Sequence, residues 1–162
     1  MAEIEEVVEP ISEIYGEDGA LVDEDAPSEL PPSEATRRSM RGNKSRDTRP
    51  ELAVRRRLHA VGFRYRVSVR PLPGLRRTAD IVFTRRRVAV FVDGCFWHRC
   101  PLHATVPRTR VAFWQAKFER NVARDTETDL LLTRAGWTVL RFWEHEDPAA
   151  VAENIANTLR HS

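Results

Sequence analysis

Apolar positions in this 162-residue chain fall into well-spaced blocks only from about residue 48 onward. Thr48-Arg49-Pro50-Glu51 reads as a helix start, with Thr48 at the cap, Pro50 in the first turn and Glu51 at the capping-box position. Val54, Leu58 and Val61 give that helix an inner face, Arg55, Arg56 and Arg57 fall near its outside, and Gly62 ends it. Residues 63–69 alternate basic and apolar side chains, as a half-buried strand does, and residues 71–74 are a turn. Residues 78–83 and 87–92 predict two short strands joined by the basic tip 84–86, in a hairpin. A helix is expected over residues 110–135, with Trp114, Phe118 and Val122 on one face and Gly136 as its stop. A strand over 137–143 and a helix starting at Pro148 complete the order. This pattern predicts one α/β domain over residues 36–162, with a mixed central sheet flanked by helices.

Charge divides the chain sharply. Residues 1–35 hold twelve Asp and Glu and no Lys or Arg, so all 26 Lys and Arg fall in residues 36–162 against the other twelve acids, a net of +14 behind the formal +2. A body so basic points to a polyanion, nucleic acid first, because Lys and Arg displace counterions from phosphate. A basic surface that is merely solvated is the plainer reading. Residues 36–49, including Arg41, suit a phosphate backbone. The arm 1–35, with Pro10, Pro27, Pro31 and Pro32, has the composition of a disordered segment. Ile4, Val7, Val8, Ile11 and Ile14 recur in it at helical spacing, broken by Pro10, so folding on a partner such as a repair protein stays open. Screening of the basic groove from non-specific DNA is a hypothesis for it, beside the plainer reading of an arm with no function of its own. No apolar run approaches membrane-spanning length and the N-terminus is acidic where a signal peptide is basic, so a cytoplasmic protein is expected, and a monomer because no spare apolar helix face is evident.

The densest chemistry lies in residues 88–103, V-A-V-F-V-D-G-C-F-W-H-R-C-P-L-H. A strand stopped by Asp93-Gly94 runs into the only two cysteines of the chain. Cys95, Cys100 and His103, spaced C-x4-C-x2-H, together with His145 at the end of the next strand, make a tetrahedral structural zinc site. A Cys95–Cys100 disulfide and unliganded core thiols are the alternatives.

A closed zinc site leaves catalysis to other groups. Asp80 interrupts an apolar strand, where an unpaired carboxylate is costly, so it needs a cation or a strong hydrogen-bond donor. Asp80 and Asp93 offer oxygen ligands for Mg²⁺, His98 a base at neutral pH, and Glu51 a further carboxylate. Phosphodiester cleavage combines these parts. Plainer roles stay open: Asp93 shaping its turn, Glu51 only capping, His98 only orienting a neighbour. Phe96, Trp97 and Trp114 are either wedges that unstack a duplex or core. Lys117, Arg120, Asn121 and Arg124 lie on the polar side of the same helix, and of these Lys117 and Asn121, with Arg41, are candidate DNA contacts.

Taken together, T-R-R-S-M-R, R-D-T-R-P-E-L, A-D-I-V-F, V-F-V-D-G-C-F-W-H, V-P-R-T-R-V-A-F-W-Q-A-K and G-W-T-V-L-R-F-W-E-H resemble, over about residues 36–147, the very short patch repair (Vsr) mismatch endonucleases of bacteria. The resemblance implies a restriction-endonuclease-like fold and Mg²⁺-dependent nicking 5′ to the thymine of a T:G mismatch left by deamination of 5-methylcytosine. It also implies a nucleoid-associated repair enzyme acting on duplex DNA. It makes Asp80 the metal-binding aspartate, His98 the base, Glu51 the acidic residue of the first helix, and Phe96, Trp97 and Trp114 the aromatics that enter the DNA. Cys95 and Cys100 match zinc ligands. Well-known members carry histidine at the position of Asp93 and cysteine at that of His145, so the zinc set here is rebuilt as Cys95, Cys100, His103 and His145. A restriction-like nuclease of other substrate choice, and an inactive binder of distorted DNA, are the alternative functions.

Overall fold

The computed structural model of the protein describes residues 46–105, 107–108 and 111–161. The acidic arm and the basic segment as far as residue 45, with Arg41, lie outside the described residues. The elements are α1 (Arg49–Ala60), β1 (Arg66–Val69), β2 (Ala79–Phe83), β3 (Val88–Asp93), α2 (Val111–Arg134), β4 (Thr138–Trp143) and α3 (Pro148–His161). Their order is the one the apolar pattern predicts.

The four strands form one sheet in the order β1-β2-β3-β4. β1, β2 and β3 pair antiparallel, and β4 joins β3 in parallel through the α2 crossover. Val54 and Leu58 of α1 and Val151, Ile155 and Leu159 of α3 cover one face, packing on Ile81, Phe83, Val88, Val90 and Phe142. Leu132 of α2 covers the other face with Trp137, over Val82, Ala89 and Phe91. The result is helices, sheet and helix in three layers, the mixed sheet flanked by helices that the sequence leads one to expect. Among the described residues no helix is long and apolar enough to cross a membrane.

Several details depart from the sequence pattern. β1 begins at Arg66, not at residue 63, because Phe63 and Tyr65 pack edge-on against Phe83 and the Tyr65 hydroxyl donates to the Arg55 carbonyl at 2.7 Å. Those bonds hold the segment against α1 and away from the strand ladder. Val61 is 65% exposed, since the helix has already ended at Ala60 and Gly62 turns the chain with φ of +92°. Arg55, expected near the outside, is buried because Glu51 and Asp47 pair with it. On α2, Trp114 and Phe118 share a face but Val122 is exposed. The first half of that helix packs on the loop after β3, where Phe96 meets Phe118 at 5.1 Å, and only its second half reaches the sheet.

Candidate active site and metal centre

The chemistry-bearing residues gather at one end of the sheet because β2 runs antiparallel to β3 while β4 runs parallel to it. The start of β2 (Asp80), the end of β3 (Asp93) and the end of β4 (Trp143) therefore share an edge. The carboxyl ends of parallel strands in an open α/β sheet are where such folds bind ligands.

The β2–β3 ladder runs from Phe83–Val88 to Ile81–Val90, and beyond it Asp80 Oδ2 accepts the Val92 N–H at 2.7 Å. A side-chain oxygen has taken the donor that the ladder would otherwise use, and Oδ1 has no hydrogen-bond donor among the described residues. Burial pushes the Asp80 carboxyl up to about 6; the Val92 bond and Arg55 oppose this, and the charges of Glu51 and Asp93 add to it. Such a group favours a cation beside it.

Glu51 is buried and fully engaged: it accepts from the Asp47 N–H at 2.9 Å, the Thr48 hydroxyl at 2.8 Å and Arg55 Nη2 at 3.1 Å. Thr48 thus donates to Glu51, and its side chain makes no bond to the helix N–H groups. Glu51 caps the chain entry to α1 and sits close enough to Asp80 to raise its pKa.

On the α2 face, Asp93 takes both oxygens to Arg141 Nη1 at 2.9 Å. His98 Nδ1 lies 2.5 Å from Asp125 Oδ2 and 3.8 Å from Asp93 Oδ1. Burial alone would lower the His98 pKa, but the Asp125 bond and the two carboxylates outweigh it, and the net shift is upward. Burial likewise raises the Asp93 pKa, against the pull of Arg141 and His98. These groups line a cleft of about 220 Å³ with Asp129, Thr126, Phe142 and Trp143. Asp125, Asp129 and Arg141 were not among the residues singled out from sequence. Arg141 carried the same signal as Asp80, a charge inside an apolar strand, whereas Asp125 and Asp129 looked like an ordinary polar helix face.

The loop after β3 is compact. His98 N–H donates to the Gly94 carbonyl at 3.1 Å and Cys100 N–H to the Cys95 carbonyl at 3.0 Å, while Arg99 takes φ of +59°, a conformation that costs a non-glycine residue about 1–2 kcal/mol. Glu144 ties the loop to the end of β4 by accepting the Cys95 N–H at 2.7 Å. Cys95, Cys100, His103 and His145 converge, with one ligand atom from each lying within 4.8 Å of the others, a cluster that could hold a metal ion. Cys95 Sγ and Cys100 Sγ lie 3.1 and 3.7 Å from His145 Nδ1, and Cys100 Sγ lies 3.8 Å from His103 Nδ1. Two thiols and two imidazoles are a donor set that suits a tetrahedral zinc ion, whose bonds of about 2.0–2.3 Å space the ligand atoms about 3.3–3.8 Å apart; the two Cys100 distances fall at that spacing and the Cys95–His145 distance is shorter. Both cysteines are free thiols. Burial and the neighbouring Cys100 push the Cys95 thiol up to about 11, so metal binding must expel its proton.

Phe96 stands edge-on to Trp97 at 5.0 Å and to Trp114 at 5.4 Å, all three half-buried. Lys117 Nζ lies 5.5 Å from the Trp97 ring and Asn121 Nδ2 donates to the Trp97 carbonyl at 3.0 Å. The two candidate DNA contacts of α2 therefore also brace the aromatic loop.

Residues 32–103 match the family model for the DNA mismatch endonuclease Vsr. The chain is 46% identical over 126 residues to the type II nicking enzyme V.NaeI of Lentzea aerocolonigenes, covering 76% of each chain. It is 40% identical over 113 residues to the DNA mismatch endonuclease Vsr of Escherichia coli, covering 68% of this chain and 70% of that one. The chain belongs to the Vsr family. A Vsr protein is a DNA endonuclease that serves mismatch repair, and its substrate is DNA. The type II nicking enzyme V.XorIIP of Xanthomonas oryzae pv. oryzae is a further relative, 41% identical over 130 residues, with 78% of this chain and 93% of that chain covered.

Proposed function

We propose that this Vsr protein nicks duplex DNA on the 5′ side of the thymine in a T:G mismatch, in a Mg²⁺-dependent hydrolysis, with a structural zinc held by Cys95, Cys100, His103 and His145. The observation that carries the reading is the placement of Asp80 and the His98–Asp125 pair at one end of the sheet, beside the aromatic loop. The three-layer mixed sheet supports a restriction-endonuclease-like ancestry for the fold.

Asp80 would hold the Mg²⁺ through the oxygen that Val92 leaves open, and the half-buried carboxyl, raised by desolvation, fits a site that lacks a cation of its own. Bound Mg²⁺ supplies charge stabilisation on the phosphate oxygens. His98 accepts the proton of the attacking water on Nε2, while Nδ1 donates to Asp125, which selects the tautomer and stabilises the imidazolium. Asp93, both of whose oxygens face Arg141, adds a second negative charge near the same Nδ1. Glu51 organises the entry to α1. Phe96, Trp97 and Trp114 enter the base stack beside the mismatch, where unstacking is cheapest, and Lys117 follows the strand. Zinc fastens the aromatic loop to the end of β4, a connection with little apolar core of its own.

Asp80→Ala separates chemistry from recognition. Binding to a T:G duplex should persist while Mg²⁺-dependent nicking is lost. Undiminished nicking by this variant would remove Asp80 from the mechanism, and wild-type binding without nicking would make the protein an inactive recogniser.

A further inference from the structure

Arg141 is a charged residue inside the apolar strand β4, and the nicking chemistry above gives it no task of its own. Its guanidinium carbon lies 4.4 Å from the centre of the Phe91 ring, so one face is closed by an aromatic. Nε donates to Asp129, with both carboxylate oxygens at 2.9 Å; Nη1 donates to Asp93, again with both at 2.9 Å; and Nη2 lies 3.7 Å from Asp125 Oδ1. All three nitrogens face protein oxygens, which makes a contact to DNA phosphate a poor account of this side chain.

Two of the three carboxylates are the ones that face His98 Nδ1. Asp125 meets Nδ1 at 2.5 Å and Asp93 lies 3.8 Å away. Three aspartates crowded into one cleft repel one another, and without a shared counter-charge each gains by swinging toward solvent. The planar guanidinium fork holds them at fixed angles, which a lysine of equal charge does not. The anchors are stiff: Arg141 pairs with Phe91 across adjacent strands, and Asp125 and Asp129 stand one helical turn apart on α2.

We propose that Arg141 is a positioning residue for nicking: by fixing Asp93 and Asp125, both of which face Nδ1 of the imidazole, it sets the direction of His98 Nε2. The inference rests on the reading of His98 as the base. Misplacing a reacting group by about 1 Å costs up to about 100-fold in rate without weakening substrate binding, so the effect belongs in kcat.

The test uses the full chain, Mg²⁺ and a T:G duplex, with Arg141→Lys and Asp129→Asn beside wild type. Thermal unfolding checks the fold, and nitrogen NMR of labelled histidine reads the tautomer of His98. Arg141→Lys should lower kcat roughly tenfold or more at unchanged KM and should disturb the His98 nitrogen pattern. Asp129→Asn, which touches neither His98 nor Asp93, should do the same more weakly. A kcat within twofold of wild type overturns the proposal, as does a fall in kcat matched by a rise in KM. If Arg141→Lys does not fold, Asp129→Asn decides alone by the same two criteria. Failure of wild type itself to nick the duplex would instead count against the proposed function, which keeps the two failures apart.

Discussion

Asp80 Oδ2 accepts the Val92 N–H at 2.7 Å at the point where the pairing of β2 with β3 stops. A half-buried, desolvated carboxylate placed there is a stability liability in the metal-free protein. Its folded pKa of about 6 lies above the ordinary 3.8, so the folded chain binds the proton more tightly than the unfolded one. Stability therefore falls as pH rises from about 4 to about 6 and stays low above that range. Asp80→Asn keeps an oxygen for Val92 and removes the charge. At pH 8 without divalent ions it should be more stable than wild type by on the order of 2–3 kcal/mol at most, with the difference gone near pH 4. Mg²⁺ should raise the melting temperature of wild type and leave Asp80→Asn unmoved. Denaturation at the two pH values, with and without Mg²⁺, checks this; a variant less stable than wild type at pH 8 contradicts it.

If His98 is the base, its 2.5 Å contact with Asp125 sets its pH dependence. The acidic limb of the nicking rate should fall above the ordinary histidine value of 6.5, because His98 must lose a proton that Asp125 and Asp93 help it keep. Asp125→Asn should move that limb to lower pH and lower the plateau roughly 10- to 1,000-fold, since the tautomer is no longer enforced. A pH profile of single-turnover nicking for both proteins reads the shift and the loss together. A limb that stays in place would separate Asp125 from the base.

On the proposed reading the Cys95, Cys100, His103 and His145 cluster holds a zinc that carries stability and shape, not chemistry. Purified protein should hold about one zinc per chain, and His145→Ala should lose it together with several degrees of melting temperature. Because Cys95 must release its proton, zinc affinity should fall as pH drops. Metal analysis and melting curves with a strong chelator measure each point. A chain that keeps its fold and its nicking rate after complete zinc removal would end the structural role.

Trp97 should matter for discrimination. Its truncation to alanine removes a ring packed on Phe96 and Trp114 and is expected to reduce the preference for mismatched over paired DNA by roughly 10-fold or more, one stacking contact being worth about 1–3 kcal/mol. Competition binding with the two duplexes measures the ratio. A ratio equal to that of wild type would assign the ring to packing alone.

The element order was legible because each block keeps one period of apolar residues, and the type and spacing of Cys95, Cys100 and His103, with His145 after β4, marked the cluster that could hold a metal ion. The start of β1 was not legible, since it depends on Tyr65 reaching a carbonyl of α1. Nor was the burial of Arg55, whose partners Glu51 and Asp47 close on it only once α1 has formed. The His98–Asp125 pair joins a loop to the middle of a long helix, and Arg141 reaches Asp93 across two strands and Asp129 on a third element. Local periodicity holds no record of such contacts. The charge inside β4 was the only sign of them, and it resembled that of Asp80.

The most direct measurement of the account is a strand-resolved cleavage assay on one duplex labelled on either strand, fully paired or carrying a single T:G mismatch, with Mg²⁺ or with chelator, in several flanking contexts. A Mg²⁺-dependent nick on the thymine strand, immediately 5′ to the mismatched thymine and absent from paired DNA, is the predicted result. Cleavage of paired DNA at comparable rate, or a nick on the guanine strand, would contradict it.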